Sequence, residues 1–111
     1  MGKMKNLDIQ INTIAELASN APAGIEILSA CLEITEMLLS KNVAYGNSAL
    51  NPIRIFSDAD DFEQLNVRID DKLNRIKNKK IYAGDNDEDD LIGYLLLKKA
   101  KKNAIIKETK D

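Results

Sequence analysis

The sequence predicts an all-α fold, a bundle of four main helices that assembles into a homo-oligomer. Four segments repeat apolar residues with the helical period of about 3.6, and no segment alternates apolar and polar residues as a strand does. The chain has 111 residues, of which 44% are hydrophobic and 31% are charged. This length and composition are typical of one soluble globular domain, which we expect to span residues 1–111.

The composition also narrows the possible functions. The net charge of −2 argues against binding to duplex nucleic acid, which usually requires a basic surface. No apolar run approaches the roughly 20 residues that span a bilayer, and the N-terminus has no apolar signal core, so we expect a cytoplasmic protein without membrane contact. The absence of histidine excludes Ser-His triads and histidine-bound zinc. The single cysteine, Cys31, falls on an apolar helix face, so we expect it to be buried and reduced.

Two helices are predicted in the first part of the chain. Leu7, Ile11 and Ile14 recur at spacings of four and three, which predicts an amphipathic helix over about 5–19. Pro22 favours the start of a second helix over about 23–41. That second helix has a broad apolar arc and an opposite stripe rich in glutamate.

Two further helices are predicted in the second part. A narrow apolar stripe predicts a third helix over about 60–79, and its members are Phe62, Leu65, Ile69, Leu73 and Ile76. The preceding residues 57–60 offer N-caps for this helix, and Asp85 or Asp87 could cap a fourth helix over about 87–106. The apolar run 91–97 covers every direction around the axis, so we expect other helices to surround it. Gly93 within this run indicates close approach of a neighbouring backbone.

A site for a phosphate-bearing ligand is predicted where the loop over 42–60 meets the third helix. The candidate residues are Lys41, Tyr45, Asn47, Ser48 and Arg54 around the loop, and Arg68, Lys72 and Arg75 on the helix. An aromatic ring, flexible backbone and polar side chains suit a nucleotide, and arginines make forked hydrogen bonds to phosphate. The alternatives are a capped turn with Gly46 at positive φ, and long side chains that snorkel beside an Asp71–Arg75 ion pair.

Two pairs of carboxylates are candidate magnesium ligands. Glu33 and Glu36 are spaced i,i+3 on the second helix, and Asp87 and Asp90 have the same spacing at the start of the fourth. Asp90 shares a face with Tyr94 and is therefore expected to point toward packed surface. If the two pairs met across a bundle, their oxygens could hold Mg²⁺. The alternative is a solvated glutamate stripe and an acidic helix start.

Three motifs in this order resemble those of small phage nucleotide-modification-associated proteins, which are similar to the MazG-like, all-α NTP pyrophosphatase group. The motifs are Lys41-x-x-x-Tyr45-Gly46-x-Ser48, then Arg68-Ile69-x-x-Lys72-x-x-Arg75, and then Asp90-Leu91-Ile92-x-Tyr94. The resemblance covers about residues 25–100.

The resemblance implies an oligomeric four-helix bundle, in the host cytoplasm, that binds nucleoside triphosphates. Active members use carboxylate-bound magnesium to release pyrophosphate, with the signature E-x-x-E followed by E-x-x-D. Glu33 to Glu36 match the first half, whereas Asp87 to Asp90 carry aspartate in place of the first glutamate of the second half. We therefore expect nucleotide binding, either with magnesium-dependent hydrolysis or as a non-catalytic binder that sequesters a signalling nucleotide or inhibits a host defence protein.

Overall fold

Four α-helices make up most of the residues that the structure, a computed structural model, describes: 2–46, 60–78 and 86–110. They are α1 (Gly2–Asn20), α2 (Gly24–Tyr45), α3 (Asp61–Lys77) and α4 (Asp87–Lys110). These ranges contain no strand, which confirms the all-α prediction. None of the four helices is long and apolar enough to cross a membrane.

The chain divides into two compact units, and the boundary falls inside α2. The N-terminal unit is Met1–Glu36, and the C-terminal unit is Met37–Asp111. The first holds α1 and the beginning of α2. The second holds the end of α2 together with α3 and α4.

In the N-terminal unit a tight turn over 21–23 connects α1 to α2. The Ala21 N–H donates to the Leu17 carbonyl at 2.9 Å, and the Gly24 N–H donates to the Ala21 carbonyl at 3.1 Å. Gly24 is buried against the backbone of Ala18, and a Cβ at this position would overlap the Ala18 carbonyl oxygen. The turn therefore requires glycine as the first residue of α2.

Most apolar side chains of the N-terminal unit remain exposed. Leu7, Ile11 and Ile14, the predicted stripe of α1, are 45%, 59% and 42% exposed. Ile34 is the buried large apolar residue of this unit, at 7% exposure. The helical period thus predicted α1 correctly. Its apolar stripe, however, is not buried against other described residues.

Cys31 is exposed, so the prediction that it is buried was wrong. The prediction relied on the apolar arc of α2, on which Cys31 lies. Much of this arc is exposed as well, Ile25 and Leu32 included. An apolar face buries its cysteine only where another element packs over it.

The C-terminal unit is built on an antiparallel pair formed by α3 and α4. Polar contacts between these helices are spread along their length, among them Asp61 to Lys101 at 2.8 Å, Asn66 to Lys98 at 2.8 Å, and Lys72 to Asp90 at 3.0 Å. Leu65 lies within this unit and is only 1% exposed. The predicted apolar stripe of α3 therefore reaches a core at Leu65, whereas Leu73 of the same stripe is 48% exposed.

Different kinds of residue cap the two helices of this pair. Asp60 caps α3 as predicted, since its carboxylate accepts a hydrogen bond from the Glu63 N–H at 2.8 Å. Asn86 caps α4, because its side-chain oxygen accepts from the Asp89 N–H at 3.1 Å. The expectation that Asp85 or Asp87 caps α4 was wrong, because Asn86 holds the cap position and Asp87 is the first helical residue. Both caps satisfy N–H groups that have no partner within the helix.

Gly93 on α4 lies close to side chains from the end of α2. It is buried, and a Cβ built on it would lie 3.1 Å from Leu38 Cδ2 and 3.3 Å from Met37 Cε. The predicted close approach at Gly93 therefore exists. The neighbours are side chains of α2, however, and not the backbone that we expected.

The apolar run of α4 has a covered side and an exposed side. Gly93 is buried and Tyr94 is half-buried, whereas Ile92, Leu95 and Leu96 are 45%, 49% and 41% exposed. The expectation that neighbouring helices surround this run was thus wrong for a single chain. The reason is that only α3 and the end of α2 are packed against α4 within the described part of the C-terminal unit.

Candidate ligand-binding site

The end of α2 carries the first group of site residues. Lys41 and Tyr45 are helical, so the prediction that the loop begins at residue 42 was wrong. The helix ends at Gly46, which has φ of 66° and whose carbonyl accepts from the Asn42 side chain at 3.3 Å. The alternative of a capped turn with Gly46 at positive φ is therefore confirmed. As a result, Lys41 and Tyr45 belong to the last turns of α2 and not to a loop.

A cavity of about 200 Å³ lies in the C-terminal unit among α2, α3 and α4. Its polar lining comes from Lys41, Asn42 and Tyr45 on α2, Arg68 on α3, and Asp90 and Tyr94 on α4. These residues fall within the three sequence motifs described above, which lie far apart in the chain. The fold therefore brings one part of each motif to the same cavity.

Apolar side chains form the rest of the wall. Met37 and Leu38 line the cavity from α2, and Leu97 lines it from α4. Buried Gly93 also lines it, and the missing side chain leaves room beside Leu38. A concave site with apolar walls and a few polar groups is typical of small-molecule binding.

Arg68 and Lys41 are the two exposed cations of the described cavity wall, and Arg68 is the one without an ion pair among the described residues. It makes no ion pair or side-chain hydrogen bond with the residues that the structure describes. The other two candidate cations of α3 differ in this respect, because both contact carboxylates. Of these three cations, Arg68 can therefore bind an incoming anion without first breaking an ion pair with a carboxylate of the described residues.

Lys72 and Arg75 form an acid–base cluster with Asp87, Asp90 and Lys41. Between residues of the described ranges, its members form the ion pairs Lys72–Asp90 at 3.0 Å, Lys72–Asp87 at 3.4 Å, Arg75–Asp87 at 3.7 Å, Lys41–Asp90 at 3.6 Å, and Arg75–Asp71 at 3.5 Å. The last of these confirms the Asp71–Arg75 ion pair that was the alternative to a phosphate clamp. The cluster joins α3, α4 and the end of α2 at one end of the C-terminal unit.

Lys72 is the centre of the acid–base cluster. Its side chain and that of Asp87 are each 11% exposed. Burial by itself lowers the pKa of Lys72, but its hydrogen bonds and charge interactions with Asp90 and Asp87 outweigh burial and raise that pKa above its ordinary value, against the opposing charge of Arg75. The ammonium group is therefore held in its charged form by the two carboxylates.

The predicted magnesium ligands do not form a metal site in the described structure. Lys72 Nζ lies within 3.4 Å of both Asp87 and Asp90, so a cation there would have to displace an ammonium ion that is already paired. Glu33 and Glu36 are exposed residues of the N-terminal unit. Within residues 2–46, 60–78 and 86–110, no three acidic or cysteine side chains are grouped so that they could hold a metal ion. Magnesium binding by these four carboxylates therefore stays a prediction, and in the described residues Lys72 takes the place of a cation beside Asp87 and Asp90.

The remaining candidates lie outside the described residues. Asn47, Ser48 and Arg54 belong to the segment 47–59, for which the structure describes nothing. Their assignment to the site stays a prediction.

Sequence reasoning had not assigned the apolar part of the cavity wall to the site. Met37, Lys41 and Tyr45 are spaced i, i+4 and i+8 on α2, and Asp90, Tyr94 and Leu97 are spaced i, i+4 and i+7 on α4. Each set forms one helix face. Each of these faces combines apolar and ionisable side chains and includes residues of a sequence motif. This combination could have identified the wall from the sequence.

Comparisons with known proteins do not point to a function, so the assignment relies on the geometry of the site. No protein-family model, curated protein or solved structure matches the chain.

Proposed function

We propose that this protein binds a nucleotide, or a similar small molecule with a phosphate group, in the cavity of the C-terminal unit. The observation that carries the proposal is the convergence of Lys41 and Tyr45, Arg68, and Asp90 and Tyr94 around one cavity. Packing alone does not require an exposed arginine and two tyrosines to line a cavity. A ligand with a ring and an anionic group uses both kinds of residue.

Arg68 is the phosphate contact in this proposal. Its guanidinium is exposed on the cavity wall, and it offers five N–H donors in a planar fork. Lys41 supports it, since its side chain is 55% exposed and its contact with Asp90 is a long one at 3.6 Å. Lys72 and Arg75 play a structural part instead, because they neutralise the carboxylates at the start of α4.

The apolar wall and the tyrosines hold the ring of the ligand. Tyr94 is half-buried beside Leu97, and Tyr45 is exposed at the helix end, where its ring can stack on a base. The cavity, at about 200 Å³, is smaller than the roughly 300–1,000 Å³ of typical ligand pockets. We therefore expect one end of the ligand to enter the cavity while the rest stays outside.

Binding without hydrolysis is the function that this geometry supports best. Hydrolysis of a triphosphate by magnesium requires several oxygen ligands around the metal, and Lys72 occupies the position between Asp87 and Asp90. A protein that binds a nucleotide and releases it unchanged would sequester that nucleotide. The sequestered molecule could be a signalling nucleotide.

Isothermal titration calorimetry with a nucleotide panel tests the proposal. The panel holds nucleoside mono- and triphosphates and a cyclic dinucleotide, each with and without Mg²⁺, and chromatography checks every mixture for products. We expect binding of at least one member with no product. Arg68→Ala should weaken that binding by on the order of 1.5–3 kcal/mol, because a charged hydrogen bond is lost.

Lys77→Ala is the matched control for Arg68→Ala. It removes one positive charge from an exposed position on the same helix, and Lys77 does not line the cavity. Equal affinities for wild type, Arg68→Ala and Lys77→Ala would refute the phosphate contact. Magnesium-dependent release of pyrophosphate would show instead that the protein is a hydrolase.

Homo-oligomerisation is the second part of the proposal. The exposed apolar side chains Ile92, Leu95 and Leu96 on one face of α4 support it, since contiguous apolar surface of this kind is typical of interfaces. Light scattering should give a mass above that of one chain. A monomer at micromolar concentration would remove this part of the proposal and leave the ligand site unaffected.

A further inference from the structure

Among the residues that the structure describes, three charged side chains line the cavity, namely Lys41, Arg68 and Asp90, and the cation Arg68 and the anion Asp90 differ in their ion pairs. Arg68 on α3 has no ion pair within the described residues, whereas Asp90 on α4 contacts Lys72 at 3.0 Å and Lys41 at 3.6 Å. A phosphate group is attracted to the first and repelled by the second. A ligand of this cavity therefore needs something other than phosphate next to Asp90.

One oxygen of Asp90 keeps capacity to accept a hydrogen bond. Its Oδ2 is 3.0 Å from Lys72 Nζ, which is hydrogen-bond distance. Its Oδ1 is 3.6 Å from Lys41 Nζ, which is too long for a hydrogen bond. Since an ionised carboxylate offers about four acceptor positions, Oδ1 can accept a donor that enters the cavity.

Asp90 is also held in place. Its side chain is only 20% exposed, and Lys72 anchors its other oxygen from the side of α3. Tyr94 and Leu97 follow it along the same face of α4 and line the cavity beside it. A fixed, partly buried acceptor discriminates strongly between ligands, because a ligand without the donor leaves it unpaired.

We infer that the ligand carries, besides its phosphate, a neutral hydrogen-bond donor that Asp90 Oδ1 accepts, while Arg68 binds the phosphate. In a nucleotide this donor is either a sugar hydroxyl or an exocyclic amino group of the base. The inference rests on the proposed nucleotide binding and specifies which nucleotides the site prefers. The site prefers nucleotides that have the donor over isosteric ones that lack it.

Calorimetry of the wild-type protein with matched nucleotide analogues tests this preference for a hydrogen-bond donor. Ribonucleotides are compared with their 2′,3′-dideoxy forms, which lack the sugar hydroxyls. Adenine is compared with hypoxanthine, and cytosine with uracil, to remove the amino group. One of the two changes should weaken binding by about tenfold or more, since the bond to a carboxylate is lost. The affected comparison identifies the source of the donor.

Asp90→Asn tests whether Asp90 is the acceptor. Because a neutral amide accepts more weakly than a carboxylate, the affinity ratio between the donor-bearing and donor-lacking nucleotide should fall toward one. A merely structural role for Asp90 would lower both affinities and leave the ratio unchanged. Glu88→Gln is the control, because Glu88 is exposed on the same helix and does not line the cavity.

The outcomes separate the inference from the proposed function. If no nucleotide of the panel binds, the proposed function fails and the inference falls with it. If a nucleotide binds but neither analogue series changes its affinity by more than about twofold, the inference alone is refuted. An unchanged ratio in Asp90→Asn refutes Asp90 as the acceptor.

Discussion

The apolar stripes of α3 and α1 differ in one respect, since among the described residues the stripe of α3 includes a fully buried side chain and that of α1 does not. In the C-terminal unit Leu65 belongs to the stripe of α3 and is 1% exposed. In the N-terminal unit Leu7 belongs to the stripe of α1 and is 45% exposed. Polar contacts follow the same division, since ion pairs between different helices occur in the C-terminal unit, on Lys41, Lys72, Arg75 and Lys101. A periodic pattern predicts the helix and its apolar face, but another element must pack on that face before it becomes a core.

Truncation of a leucine should have the largest effect and should depend on the unit. Leu65→Ala removes a fully buried side chain, so we expect the free energy of unfolding to fall by about 4 kcal/mol. Leu17→Ala makes the same chemical change on α1, where Leu17 is 64% exposed, and should change stability by less than about 1 kcal/mol. Urea unfolding followed by circular dichroism measures both. Similar losses in the two variants would show that α1 is covered in solution.

Removal of Lys72 should have the second largest effect. Lys72→Met leaves Asp87 and Asp90 close together, with Arg75 and Lys41 as the remaining cations beside them among the described residues, so we expect a loss of about 3 kcal/mol. Lys77→Met is the control, because Lys77 is exposed on the same helix. Equal unfolding free energies for the two variants would mean that the acid–base cluster contributes nothing to stability.

Gly24→Ala tests the turn of the N-terminal unit. The new Cβ would overlap the Ala18 carbonyl oxygen, and backbone atoms cannot move aside as the end of a side chain can. We expect a loss of about 2 kcal/mol from this overpacking. Gly93→Ala is the comparison in the C-terminal unit. Its Cβ would meet only the side-chain ends of Leu38 and Met37, so the loss should be smaller.

Hydrogen exchange assigns these two losses to their units. Gly24→Ala should reduce the protection of amides in residues 2–36, and Gly93→Ala that of amides in α4. If Gly93→Ala proves the more destabilising of the two, the contrast between backbone and side-chain neighbours is incorrect.

The dependence of stability on pH should give the smallest effect. The pKa of Lys72 is raised in the folded protein by Asp90 and Asp87, so its charged form stabilises the fold. That contribution is fully present below the ordinary lysine pKa of 10.5 and is lost as pH rises through the higher pKa of the folded state. The difference in unfolding free energy between wild type and Lys72→Met should therefore be constant from pH 8 to about 10 and shrink above that. A difference that stays constant at higher pH would contradict the raised pKa.

Local patterns account for the parts of the molecule that the sequence predicts. The four helices follow from apolar period and helix-breaking residues, and their ends lie within a few residues of the predictions. Asp60 caps α3 and Gly46 ends α2 because capping depends on residues only a few positions away. The face shared by Asp90 and Tyr94 follows from helix geometry in the same way.

The surroundings of these helices were decided by the tertiary structure alone. The sequence showed three cations at spacings of four and three along α3. The packing of α3 against α4 determines that Lys72 and Arg75 contact Asp87, whereas Arg68 lines the cavity. Likewise, periodicity placed Cys31 on an apolar face, and only the fold shows that this face is exposed. The physical reason is that helix formation depends on neighbours within about four positions along the chain, whereas burial and ion pairing depend on residues brought together from distant positions.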